Sequence, residues 1–377
     1  MENNEFNSEL LQKTTQHKIN YFVNYTMAHP HLIAAFKELQ QAIYQSPGTS
    51  LIFVVGPTGV GKTTLLQRLV QKLTSDKISE LELDRGQIPI FGFEATSPEF
   101  SQFNWKDFYI RLLKALQDPF VEVKIKYQNS TSCWRQAVES ALINRHPDAF
   151  YIDEAHHLAM LPSGRKLKEQ PEVLKSIANI AKIKIIPTGT YELLPLIDLG
   201  EQLCRRSKTI HFARYRVDNS GELTEFKSVL QTFQNNLPIN ETPDLVSNWE
   251  FIYEHTLGCV GMCKDWLTET LIDVLSNRKN PTTITLSDLE RHARPTSQCL
   301  KILKVIQQGE KKLLPDITEL SQLRKALGLP AERYDETLYA ADNQEYAEKN
   351  NQVKRKRKKV GQASPQRYPV GDSENGK

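Results

Sequence analysis

The sequence predicts an α/β fold: a parallel sheet wrapped by helices, then an all-helical region and a basic tail. Three observations carry this. Five apolar residues, Leu51–Val55, run straight into a glycine-rich turn and a helical pattern. A second apolar run over residues 149–152 ends in two acids, Asp153 and Glu154. From Gly221 to about residue 294 the apolar spacing is helical, with Gly and Pro punctuation between segments.

The glycine-rich turn is the most informative stretch. Residues 56–63, GPTGVGKT, match G-x-x-x-x-G-K-[ST] at every required position, between the strand and the helix that the motif needs. Gly56, Gly59 and Gly61, with Pro57, Thr58 and Val60 between them, let the backbone curl so that successive N–H groups face phosphate oxygens. The helix beginning near Thr64 adds its partial positive charge. Lys62 is expected to reach β- and γ-phosphates, and the Thr63 hydroxyl to sit on Mg²⁺. The pattern predicts a nucleoside-triphosphate site.

The acidic strand end fits the same chemistry. Asp153 suits Mg²⁺ binding through its water shell, and Glu154 suits orienting or polarising an attacking water. Residues 153–156 also spell a helicase box, Asp-Glu-Ala-His. A translocating helicase needs a second motor domain with a QxxGRxGR-type motif, which the sequence lacks, and only about 220 residues follow the box.

In chain order, residues 1 to about 20 read as polar and loosely structured. An apolar pattern over 19–43 follows, interrupted at His29-Pro30-His31, where a helix is expected to start. This segment either shapes a base pocket or simply packs on the core. Residues 88–93 (IPIFGF) read as a strand, and 105–116 and 132–145 as helices. Helix 171–181 precedes a strand at 183–186, which ends in Pro187-Thr188-Gly189-Thr190. Thr190, with Thr188 close behind, is the candidate for a polar strand-end group that contacts the γ-phosphate. Arg205 and Arg206 precede a strand at 209–212, where an arginine supplied across a subunit boundary would be placed. Helices are expected at 222–235, 244–256, 260–277, 286–292, 296–307 and 317–327; Lys264, at the start of one of them, is placed to swing onto the nucleotide from a lid, and Thr64 joins the loop residues as a nucleotide contact.

Composition excludes several classes. No apolar run approaches the roughly 20 residues of a membrane span, and MENNEFNSELLQK has no secretion-signal pattern. Five scattered cysteines predict reduced thiols in a cytosolic protein; Cys259 and Cys263 lack the further ligands of a zinc site. Residues 351–377 hold eight Lys or Arg against two acids, so a formal total of +3 leaves −3 on the first 350 residues. This tail is expected to be disordered.

A phosphate loop, an Asp-Glu strand end, a polar strand-end residue, an Arg pair and a helical lid, in that order, resemble the AAA+ ATPases. The run Ile152-Asp153-Glu154-Ala155-His156-His157-Leu158, with Pro187-Thr188-Gly189-Thr190 and Cys204-Arg205-Arg206, is similar to the TnsC/TniB branch. These are ATPase regulators of Tn7-like transposons, including CRISPR-associated ones, and resemble IstB and MuB in role. The resemblance covers roughly residues 20–295; together with the pattern of the rest of the chain it divides the sequence into a helical segment 1–45, a P-loop AAA+ core 46–215, a lid 216–295, further helices 296–330 and a linker and tail 331–377. It implies ATP and Mg²⁺ on Lys62, Thr63 and Asp153, water activation by Glu154, a first sensor at Thr190 and a finger at Arg206 or Arg205. Lys264 stands where relatives often carry a second-sensor Arg.

The same resemblance implies rings or filaments on double-stranded DNA, linking a TniQ/TnsD-type target selector to a TnsA/TnsB-type transposase. DNA contacts would come from between the phosphate loop and the Asp-Glu strand, where Lys106 and Lys124 are the candidates, interleaved with Trp105, Tyr109 and Tyr127. The Arg165-Lys166-x-Lys168 segment is a second candidate. The tail either binds DNA phosphates, docks on the transposase or serves solubility. Two other classes fit less of the pattern: a protein-remodelling signalling or secretion ATPase without DNA, and a replication initiator or loader.

Overall fold

In the computed structural model the described residues are 9–98, 103–127, 130–160, 165–198, 205–278, 281–314 and 317–329. The basic tail and Cys204 lie outside them, as do the side chains of Arg165, Lys166 and Lys168.

Among the described residues, helices α1 (Thr15–Asn24) and α2 (Pro30–Gln45) come before the sheet, after a short helical turn at 9–11. Strand β1 (Leu51–Val55) leads into α3 (Lys62–Asp76) and the short α4 (Ile78–Leu83), then β2 (Ile90–Glu94). Helices α5 (Trp105–Ala115), α6 (Val121–Tyr127) and α7 (Thr131–Arg145) come before β3 (Ala149–Asp153). Helix α8 (Arg165–Ala181), β4 (Lys184–Gly189), the single-turn α9 (Leu194–Ile197) and β5 (Ser207–His211) complete the core. All strand pairings are parallel, in the order β2-β3-β4-β1-β5.

Successive side chains on a strand point to opposite faces, and β1 supplies a core on each. Leu51, Phe53 and Val55 pack with Phe150, Ile152, Leu112 and Trp134. Ile52 and Val54 pack with Leu39, Leu65, Leu69 and Ile210. A parallel sheet covered on both faces reads as continuous apolar runs, which is why β1 and β3 stand out in the sequence.

The remaining helices of the first compact unit are α10 (Ser220–Asn236), α11 (Trp249–Thr256), α12 (Val260–Asn277), α13 (Leu286–Arg291) and α14 (Thr296–Leu313). Phe226, Leu230, Phe233, Trp266 and Leu271 form a separate lid core, and Phe22 of α1 is fully buried among them. The segment expected to be loose is therefore helical from Thr15, with the Thr14 side chain capping it. Its partner α2 starts at Pro30 as the sequence pattern indicates, with the His29 ring accepting from the Leu32 N–H. Helix α14 returns to the sheet domain: a Cβ on Gly309 would lie 2.0 Å from the Tyr191 ring. Glu310 there holds the mostly buried Arg214 guanidinium at 2.9 Å. A second unit begins at Leu314, and its described helix α15 (Ile317–Ala326) exposes Leu320, Leu323 and, just beyond it, Leu327.

Two differences from the sequence pattern have local causes. Helix α8 starts at Arg165, and Pro171 lies inside it instead of opening it. Helix α6 was not expected, because it exposes Val123 and Tyr127 and buries only Val121, the reverse of the usual pattern.

Candidate active site

Strand register brings the predicted residues to one edge of the sheet. Val55 is level with Gly189 on β4, and Ile152 with Pro187, so the turns after β1, β3 and β4 leave side by side. The phosphate loop Gly56, Pro57, Thr58, Gly59, Val60, Gly61 then climbs to α3. Gly61 at φ 111° and Gly59 at φ 72° hold left-handed conformations that suit glycine. Gly59 also has no room for a side chain, since a Cβ would come within 2.4 Å of Met262 on the lid helix.

Lys62 is buried, and its ammonium donates to the carbonyls of Gly56 (3.1 Å) and Pro57 (2.9 Å). Burial lowers its pKa, opposed by the nearby Glu154 and Asp153 carboxylates. The Thr63 hydroxyl donates to Asp153 Oδ2 at 2.9 Å, and the Glu154 N–H donates to Asp153 Oδ1 at 3.0 Å. Burial raises the Asp153 pKa, and those two donors pull the other way. Glu154 takes a left-handed backbone at φ 49°. Its carboxyl is held below the usual glutamate range, first by the His156 imidazole, against the effect of burial. His156 Nδ1 stands 3.0 Å from Glu154 Oε2, off the direction that a hydrogen bond requires. The hydroxyls of Thr188 and Thr190 are buried beside them with no hydrogen-bond partner among the described residues.

The donor set fits a metal-bound triphosphate. A buried ammonium held by two loop carbonyls, a glycine loop that runs into a helix N-terminus, and a hydroxyl–carboxylate pair are what phosphate and a hard divalent cation require. Thr64, one residue on, lines a small cleft of about 70 Å³ with Val60 and Gly61. Tyr25, His29, Phe233 and Lys264 close its other sides. The lid meets the loop directly here, with the Met262 N–H donating to the Gly59 carbonyl at 3.0 Å.

Lys264 stands at this cleft, but its ammonium faces away from the phosphate loop. It donates to the Phe22 carbonyl at the end of α1, and lies over the Phe22 ring at 4.3 Å. Burial lowers its pKa to about 8. Arg205 and Arg206 are exposed at the other end of the sheet, where Ser207 is level with Leu51. The length of β1, roughly 16 Å, separates them from their own phosphate loop. Lys124 is paired with Asp118 at 2.7 Å, whereas Lys106 has no ion-pair partner among the described residues. Cys259 and Cys263 are buried free thiols, each pushed by burial to about 12.

Residues 46–197 match the family model of the AAA domain. The core of this chain is an AAA+ ATPase domain. Among solved structures, the chain is similar in fold to the Aeropyrum pernix ORC1 protein in complex with DNA, at 14% identity and TM-score 0.51. That likeness covers 70% of this chain and 65% of that one, just under two thirds of its length. The Walker-type ATPase of Pyrococcus abyssi matches at 18% identity and TM-score 0.44, over 74% of this chain and 73% of that one. Drosophila ORC bound to DNA matches at 13% identity and TM-score 0.48, over 83% of each. No curated protein matches the sequence.

Several partners that shape the site carry no mark of their own in the sequence. His156 stands out only as part of the Ile152–Leu158 run. Phe233 and Met262 come from the lid, about 170 to 200 residues after the loop, and nothing in local spacing marks them.

Proposed function

We propose that this AAA+ ATPase assembles on duplex DNA under ATP and regulates transposition, coupling a target selector to a transposase. The observation that carries self-assembly is the position of Arg205 and Arg206, exposed at the sheet end remote from their own phosphate loop. A guanidinium there is free to act on the nucleotide of a second copy, so the ATP site is completed between copies. In this reading Lys62 and the loop N–H groups bind the phosphates, and Thr63 and Asp153 would hold Mg²⁺, which would supply charge neutralisation to the triphosphate. Glu154 orients the attacking water and Thr190 contacts the γ-phosphate. The cleft at Tyr25, His29 and Phe233 takes the base.

The transposition branch is supported by the Ile152–Leu158 and Pro187–Thr190 motifs. Lys106 is the better DNA candidate of the two lysines, because Lys124 is already neutralised by Asp118. A second reading, a replication-initiation ATPase, is favoured by the likeness in fold to the DNA-bound Aeropyrum pernix ORC1. Electron microscopy of the protein with linear duplex DNA of arbitrary sequence, with and without a slowly hydrolysed ATP analogue, tests the proposal. Regular assemblies on DNA only with nucleotide are expected. Binding confined to particular sequences would favour the initiator reading, and nucleotide-dependent rings that ignore DNA would favour the protein-remodelling class.

A further inference from the structure

We infer that His156 is a positioning residue for ATP hydrolysis: its imidazole, and not that of His157, sets the direction of the Glu154 carboxylate. The inference rests on the reading of Glu154 as the group that acts on the attacking water. Glu154 leaves the strand end with φ 49° and ψ 33°, a conformation that costs energy for a residue with a Cβ. Such strain persists only where neighbours over-determine it. Buried Glu154 Oε2 faces His156 Nδ1 at 3.0 Å, and neither atom has a hydrogen-bond partner elsewhere among the described residues. A small rotation of either group turns this contact into a charge-assisted hydrogen bond.

His156 is itself well fixed. It is only 9% exposed, and its ring lies against the His157 ring at 4.4 Å. Its backbone packs on Gly189, where a Cβ would come within 3.0 Å of the His156 N and 3.4 Å of Nδ1. Gly189 therefore leaves room for the imidazole at the end of β4, one residue before Thr190. The ring bridges the ends of β3 and β4, the two strands that carry the carboxylate and the candidate sensor. His157 faces elsewhere, with Nδ1 3.3 Å from Ser97 Oγ and 3.4 Å from Met160 Sδ. A glutamate has rotamers to lose, and a fixed imidazole beside one oxygen removes the unproductive ones before substrate binds.

Steady-state ATP hydrolysis and equilibrium ATP binding, measured on the full chain, test this with four single variants and one double. His156→Ala is expected to lower kcat by about 10- to 100-fold, the range typical of outer-shell partners of site carboxylates. ATP affinity should change less than about twofold, because the carboxylate acts on water and not on bound nucleotide. His156→Asn, whose amide nitrogen occupies the place of Nδ1, should recover much of the loss, and His157→Ala should stay within about twofold of wild type. Glu154→Gln should leave only residual turnover, and adding His156→Ala to it should not lower that residual turnover further.

Equal loss of affinity and turnover in His156→Ala, no recovery by His156→Asn, or a rise in turnover would each overturn the inference. If Glu154→Gln kept its activity, the reading of Glu154 would fall instead, whatever His156 did.

Discussion

At Arg206 the guanidinium stands beside the start of β5, while the phosphate loop leaves the far end of β1, and the two strands run parallel. Arg206 donates to Asn179 at 3.3 Å, a weak tether for an exposed side chain, and Arg205 beside it is also exposed. A finger acting between copies predicts complementation. Arg206→Ala and Glu154→Gln should each lose turnover alone, since one lacks the finger and the other the water-orienting acid. Mixed in equal amounts, they should regain about a quarter of wild-type turnover, because one junction in four pairs an intact site with an intact finger. Arg205→Ala run in parallel identifies which arginine serves. Full activity in both arginine variants would remove the between-copy site. At this scale the loop and the Asp-Glu pair were legible, because phosphate chemistry demands particular residues at fixed spacing. The occupation of Lys264 was not: a lysine one turn into a lid helix reads the same whether it faces phosphate or, as here, the Phe22 carbonyl.

Among the elements, α1 and α2 divide the N-terminal segment between two cores. Phe22 belongs to the lid cluster and Leu39 to the sheet cluster, so residues 25–29 cross from one to the other beside the cleft lined by Tyr25 and His29. His29 anchors that crossing, buried with its Nδ1 3.0 Å from the Tyr215 hydroxyl. Burial first, and then His31, lowers its pKa to about 4 from an ordinary 6.5. Between those values the unfolded chain binds a proton that the folded chain refuses. Stability is therefore complete above about pH 6.5 and is lost as pH falls towards 4. The contribution is about 2 kcal/mol between pH 7 and pH 5. Urea unfolding at the two pH values should show a smaller acid loss for His29→Gln than for wild type, and equal losses would refute the assignment. The helix start at Pro30 was readable from the proline. The lid allegiance of α1 was not, since its partner Phe233 lies more than 200 residues away and helical periodicity names a face but no partner.

For the whole molecule, the uneven charge decides what the tail contributes. The first 350 residues carry −3, so the chain's basic excess is concentrated in residues 351–377, with eight Lys or Arg and two acids. Within the described core, Lys124 and Lys114 are paired with Asp118 and Glu122. A net-acidic body with locally neutralised lysines has little long-range attraction for phosphate, so the tail should supply most of the salt-sensitive part of DNA binding. Each phosphate neutralised on duplex DNA adds about 0.9 to the magnitude of the slope of log affinity against log salt. A chain ending at residue 350 should then lose up to about 7 from that magnitude if every tail cation engages. Its DNA-independent ATP turnover should be unchanged, because the site's candidate residues all lie before residue 265. Titration of duplex DNA from 50 to 200 mM salt, with the full and shortened chains side by side, measures the difference. An unchanged slope would assign the tail to a protein partner and leave Lys106 and its neighbours as the main DNA contacts.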